Sequence, residues 1–130
     1  MDDLVVWLRT QLDEDEARAM AAPRGPWSVQ VSGSIVDADG GRVIPSVGGA
    51  LDGRAVRWPE GPVVEHVVGH DPARVLREID AKREVVRLAE RAHDYAPTFT
   101  SGFAAALEGV LRMYAVAYAD RPGFREEWRP

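Results

Sequence analysis

The chain has 130 residues, of which 45% are hydrophobic and 28% charged, and its formal net charge is −5. This composition suits one folded domain, not a disordered chain, and the acidic balance argues against a general nucleic-acid-binding protein. There is no cysteine, which excludes disulfides, thiolate metal sites and thiol nucleophiles.

No apolar run approaches the roughly 20 residues that a membrane span needs. The chain opens on Asp2 and Asp3 instead of a basic segment, so a secretory leader is not expected and a cytoplasmic location is. Fifteen arginines stand against a single lysine, Lys82, which points to a high-G+C coding sequence and not to a mechanism.

The pattern predicts a helix over residues 1–22. Asp2 or Asp3 caps it, and Leu4, Val5, Leu8 and Leu12 form its apolar stripe, with Trp7 at the edge. The block Asp13, Glu14, Asp15, Glu16 then replaces apolar residues over a full turn. Its plain reading is a solvated acidic turn. A sharper reading pairs Asp15 or Glu16 with Lys82 or Arg83, which interrupt the stripe of a later helix; such a pair fixes register more than it adds stability.

Pro23, Gly25 and Pro26 end the first helix, and a β region is expected over 27–58. Trp27-Ser28-Val29-Gln30-Val31-Ser32 alternates apolar with polar, the period of a half-buried strand. Ile35-Val36 and Val43-Ile44 flank Asp37-Ala38-Asp39-Gly40-Gly41, a hairpin turn with Gly40 or Gly41 at positive φ. Pro45 ends the returning strand or marks an edge. Two to four antiparallel strands follow from this, too few to be stable without a helix across one face.

Residues 46–62 are rich in glycine and proline and read as a variable loop. Within it Ala55-Val56-Arg57-Trp58 suggests a short further strand, and Trp58 is either a core plug or a surface contact. Val63-Val64-Glu65-His66-Val67-Val68 reads as a last strand or one helical turn before Gly69.

The most legible segment runs from His70 to His93. Asp71 serves as N-cap and Pro72 as first helical residue, and Val75, Leu76, Ile79, Val86 and Ala89 recur at helical spacing. A helix over 71–96 is expected, stopped by Pro97. Thr100 or Ser101 caps a last helix over 101–119, with Phe103, Leu107, Val110, Leu111, Tyr114 and Tyr118 on its apolar face. In the polar tail Phe124 and Trp128 are expected to dock.

The fold class that results is α+β in a single domain over 1–130: an N-terminal helix, a small antiparallel sheet, then two C-terminal helices. One shared core is expected from Leu4, Leu8, Leu12, Trp27, Val29, Val31, Leu76, Ile79, Val86, Leu107, Leu111 and Tyr114.

The start MDDLVVWLRTQLDEDEARA, the run HDPARVLREIDAKR and the end YADRPGFREEWRP together resemble a family of small actinobacterial and actinophage proteins of unknown function. The resemblance holds at both ends, and His66, four residues before the HDP run, fits it as well. The middle, from near Trp27 and most freely over 33–62, departs. The short apolar turn before Asp-Pro and a helix is also similar to small phage accessory proteins. What the resemblance implies is a phage or mobile-element setting, without an activity.

Candidate chemistry is sparse. His66 and His70 are four apart, the spacing of metal-binding pairs on a helix, and Asp13 or Glu16 would be carboxylate donors for a metal-dependent hydrolase. Against that, Gly69 and the Asp71-Pro72 start argue against one continuous helix through both histidines, and capping explains His70. The His70-Asp71 and His93-Asp94 dipeptides with Asp120 superficially resemble the ligand order of HD-type metal phosphohydrolases, which need more helices than this chain supplies. Glu78, Asp80 and Glu84 lack the paired spacing of helical pyrophosphatases. No phosphate-cradling GxxxxGK[ST] or GxGxxG loop is present.

The reading that remains is a non-enzymatic accessory protein, without a cofactor, that binds another protein or a second copy of itself. Its candidate binding residues are Asp15, Glu16, His66, His70, Arg74, Lys82, Arg83 and Trp58, with an exposed aromatic patch expected at Trp58 or at Phe124 and Trp128.

Overall fold

The computed structural model describes residues 1–51, 54–94 and 101–130. The chain is α+β, as its pattern predicts. Helix α1 (Asp2–Ala21) is followed by strands β1 (Ser28–Val29), β2 (Ile35–Val36), β3 (Arg42–Ile44), β4 (Val47–Leu51) and β5 (Arg54–Trp58). Helices α2 (Gly61–Gly69), α3 (Pro72–Asp94) and α4 (Ser101–Val116) come next, and a 3-10 turn (Glu126–Trp128) closes the chain. The strands β1-β2-β3 form one antiparallel sheet in that order, and β4 pairs with β5 in another. No helix among the described residues is long and apolar enough to cross a membrane.

The chain divides into two compact units, Met1–Asp15 with Glu78–Pro130, and Glu16–Arg77. In the first, Leu4, Val5 and Leu8 of α1 meet Val86 and Ala89 of α3, Leu111 and Ala115 of α4, and Tyr118 and Trp128 beyond it. Each fully buried leucine or valine contributes about 1.5–3 kcal/mol. The tail docks through aromatics. Trp7 lies 5.1 Å from Trp128, 5.9 Å from Phe124 and 6.5 Å from Tyr118, centre to centre, in tilted or edge-on arrangements that suit ring quadrupoles. The Trp7 indole N–H donates to the Pro122 carbonyl at 3.0 Å. Gly123, at φ +83°, passes so close that a Cβ there would sit 2.9 Å from Trp7 Nε1.

The second unit relies more on polar ties. Its described apolar interior includes Ala19, Ile35, Val36 and Val64, and Asp71 is buried as well. One Asp71 oxygen accepts the Arg74 backbone N–H at 2.9 Å, the N-cap expected for α3. Its other oxygen accepts the Trp27 backbone N–H at 2.7 Å, so one carboxylate caps a helix and anchors the start of the β region. Gly25 runs so near the start of α3 that a Cβ would meet the Ala73 nitrogen at 2.7 Å. In the β2–β3 turn Gly40 takes φ +81°, and the Asp37 carboxylate accepts N–H bonds from Asp39 and Gly41.

Several expectations need correction. The strand foreseen over 27–32 stops at Val29, because Gln30 to Ser34 close a tight turn with backbone bonds of 2.8 and 2.9 Å. Val31 is therefore 106% exposed and Val29 is exposed too, not core. Residues 61–69 form a helix of nine residues, longer than one turn and not a strand, with proline in its first turn. Phe103 is exposed, while Trp27, Leu76, Leu107 and Tyr114 are half-buried. Helix α4 ends at Val116, and Ala117 to Ala119 continue in tighter three-residue bonds. The stop expected at Pro97 and the cap expected at Thr100 lie outside the described residues.

Candidate functional site

The β4/β5 ribbon presents two different sides. Val47 pairs with Trp58 and Gly48 with Arg57. Directly paired residues project to the same side of an antiparallel ladder, and successive residues to opposite sides. Arg57 uses its side within the molecule: its guanidinium donates to the Ser32 carbonyl at 2.7 Å. Gly33, at φ +87°, permits that approach, since a Cβ would stand 3.3 Å from Arg57 Cδ and 3.1 Å from Ser46 Oγ. Val47 and Trp58, on the other side, are each 59% exposed. Trp58 is thus a surface residue, not a core plug. Of the two aromatic patches expected, the other is not available as drawn: Trp128 is buried and Phe124 packs against the core.

Helix α2 carries His66 through its last turn and His70 as its C-cap. Their rings stack at 4.3 Å between centres with planes 28° apart. The His70 Nδ1–H donates to the His66 carbonyl at 2.7 Å, which leaves its Nε2 pointing away from that bond. As expected, no continuous helix runs through both histidines: α2 ends at Gly69 and His70 leaves the helical conformation, yet the cap still brings the two rings together. Arg74, one turn into α3, donates from its guanidinium to the Gly69 carbonyl at 2.9 Å.

The charged residues singled out in α1 and α3 find these partners. Arg83 meets Asp13 at 2.7 Å, and Asp15 meets Arg121 at 2.5 Å. Arg121 also lies over the Tyr118 ring, 4.6 Å from its centre, and Lys82 Nζ stands 3.4 Å from the Tyr118 hydroxyl. These contacts fix helix register within the first unit. Glu16 is half-buried in the second. Among the described residues no group of three or more His, Asp or Glu side chains gathers as a metal site, so the four-ligand set His66, His70, Asp13 and Glu16 is not assembled. Arg57 and Arg121 went unread in the sequence, because nothing in local spacing names a partner 25 or 106 residues away.

Two of the cavities among the described residues differ in character. In the first unit a polar cleft of about 470 Å³ is lined by Asp3, His93, Glu108, Arg112, Arg125 and Trp128. Its charges answer one another: Arg112 binds Glu108 at 3.0 Å and Arg125 binds Asp3 at 2.9 Å. In the second unit an apolar groove of about 350 Å³ runs along Ala19, Met20, Ala22, Pro72, Ala73 and Leu76.

Fold and surface define a small α+β protein in which Trp58, the most exposed tryptophan, tyrosine or phenylalanine among the described residues, sits on a short β ribbon. The chain belongs to the Family of unknown function (DUF6221), whose model matches residues 1–130. Searches of the curated proteins and of the solved structures return no significant match.

Proposed function

We propose that this protein is a non-enzymatic accessory protein that acts by binding another protein through the Trp58 side of the β4/β5 ribbon. The observation that carries the reading is the Val47–Trp58 pair, two apolar side chains on one side of a ladder, both more than half exposed. An indole left in water is a standing cost that a partner surface removes, and tryptophan is among the residues most enriched where binding energy concentrates. The resemblance of both chain ends to small actinobacterial and actinophage proteins supports a phage or mobile-element setting.

The test uses wild-type, Trp58→Ser and Val47→Ser proteins as matched baits. A partner retained by the wild type and lost by both variants, then shown to bind as a purified protein, supports the reading. Partners retained equally by all three contradict it. Light scattering on the same proteins separates the case of a second copy: a dimer mass that collapses to monomer in Trp58→Ser makes the partner this chain itself.

A further inference from the structure

We infer that His66 and His70 form a two-histidine chelate for a late first-row divalent metal ion, with Cu²⁺, Ni²⁺ and Zn²⁺ as the candidate ions. Three observations converge. The residues are four apart, His66 in the last turn of α2 and His70 at the cap just beyond it, and their rings stack 4.3 Å apart. A metal–imidazole bond is about 2.0–2.1 Å, so two nitrogens sharing one ion lie no more than about 4 Å apart. The imidazole lone pairs lie in the ring planes, so one of the two stacked rings must turn for both nitrogens to face a single ion. Second, the His70 Nδ1–H is already bound to the His66 carbonyl, the kind of backbone bond that fixes the tautomer of a metal-ligating histidine and leaves Nε2 as the donor. Third, both rings are exposed, so water completes the coordination and an ion reaches the pair without opening the fold.

Neutral imidazole nitrogen is a borderline-soft donor, which selects against Mg²⁺ and Ca²⁺ and ranks Cu²⁺ above Ni²⁺ and Zn²⁺. The site is distinct from the hydrolase set considered from sequence. It uses no carboxylate of α1, and with two protein ligands it holds an ion without the enclosed, fully ligated shell of a structural zinc site. It is also independent of the Trp58 surface, so loss of either reading leaves the other standing.

The test is calorimetric titration of tag-free, chelator-treated full chain with NiCl₂, CuCl₂, ZnCl₂ and MgCl₂. One Cu²⁺, Ni²⁺ or Zn²⁺ per chain is expected, with no Mg²⁺ uptake. His66→Ala and His70→Ala should each weaken binding by about tenfold or more, because each removes the second donor held at high effective concentration. His93→Ala, at the third histidine, should leave it unchanged. A second readout needs no variant: substoichiometric Cu²⁺ should broaden the imidazole resonances of His66 and His70 before those of His93. Absence of one-to-one binding, retention of full affinity in His66→Ala, or broadening led by His93 would each overturn the assignment.

Discussion

In the unit of Met1–Asp15 and Glu78–Pro130, three helices and a docked tail bury Leu4, Leu8, Val86, Leu111 and Trp128 against one another. In the unit of Glu16–Arg77, strands of two to five residues bury far less apolar side chain among the described positions, and a carboxylate sits inside. Strands that short cannot close a core by area. Their places are fixed by discrete bonds: Asp71 to Trp27, Arg57 to Ser32, Asp37 to its own turn. Polar ties locate a few atoms accurately while leaving surface uncovered, and the exposed Val47–Trp58 pair belongs to that unit. A proposed binding surface on the unit with the smaller core is what this contrast leads one to look for.

The largest expected effect tests the apolar side of the contrast. Leu111 is fully buried, and Leu111→Ala should lower stability by about 3–4 kcal/mol in urea denaturation through lost burial and a residual cavity. Asp71→Ala probes the polar side. It removes a helix cap and orphans the Trp27 N–H, for a loss of about 3 kcal/mol. Asp71→Asn, which keeps one acceptor oxygen, should fall between. An Asp71→Ala loss below about 1 kcal/mol would mean that the carboxylate is a cap alone and that the second unit is held by something else.

A smaller effect is expected at Gly123. Alanine there combines an unfavourable positive φ with displacement of the Trp7 indole, and should cost about 2 kcal/mol and change the near-ultraviolet aromatic signal. An unaltered signal would show that the tail docks without that close fit.

The smallest concerns Arg24 and Asp39, a solvent-exposed pair at 2.7 Å. The Arg24 guanidinium holds the Asp39 carboxyl below its ordinary value by hydrogen bonding and charge. A folded-state pKa below the unfolded one makes the contribution complete above the unfolded value of about 3.9. It is lost as pH falls through the lowered folded value. Titration of Asp39 by nuclear magnetic resonance should therefore show a midpoint that rises in Arg24→Gln. A midpoint indifferent to Arg24 would remove the pair from the second unit's ties.

Much of this architecture was legible in the residues. Asp71-Pro72 announces a helix start in two letters, and Phe124 and Trp128 stand out in a polar tail, although the residues alone leave docking and exposure both open and the packed core decides for docking. The helix over 61–69 was hidden because four valines in six residues favour strand, while the proline ahead of them favours a helix start. Alternation misled at Val29 and Val31, since a period of two over six residues is also what a two-residue strand and a turn produce. Trp58 was singled out, but whether it faced inward or outward depended on its partner Val47, and register is not written in local pattern.

The central claim is that Trp58 is a binding residue and not a structural one. Its most direct test measures a purified partner, or the self-association constant, against wild-type and Trp58→Ser proteins side by side with their melting temperatures. The account predicts an affinity loss of about thirtyfold, equivalent to about 2 kcal/mol, with no fall in melting temperature. Equal affinity, or a loss that tracks a fall in melting temperature, would contradict it.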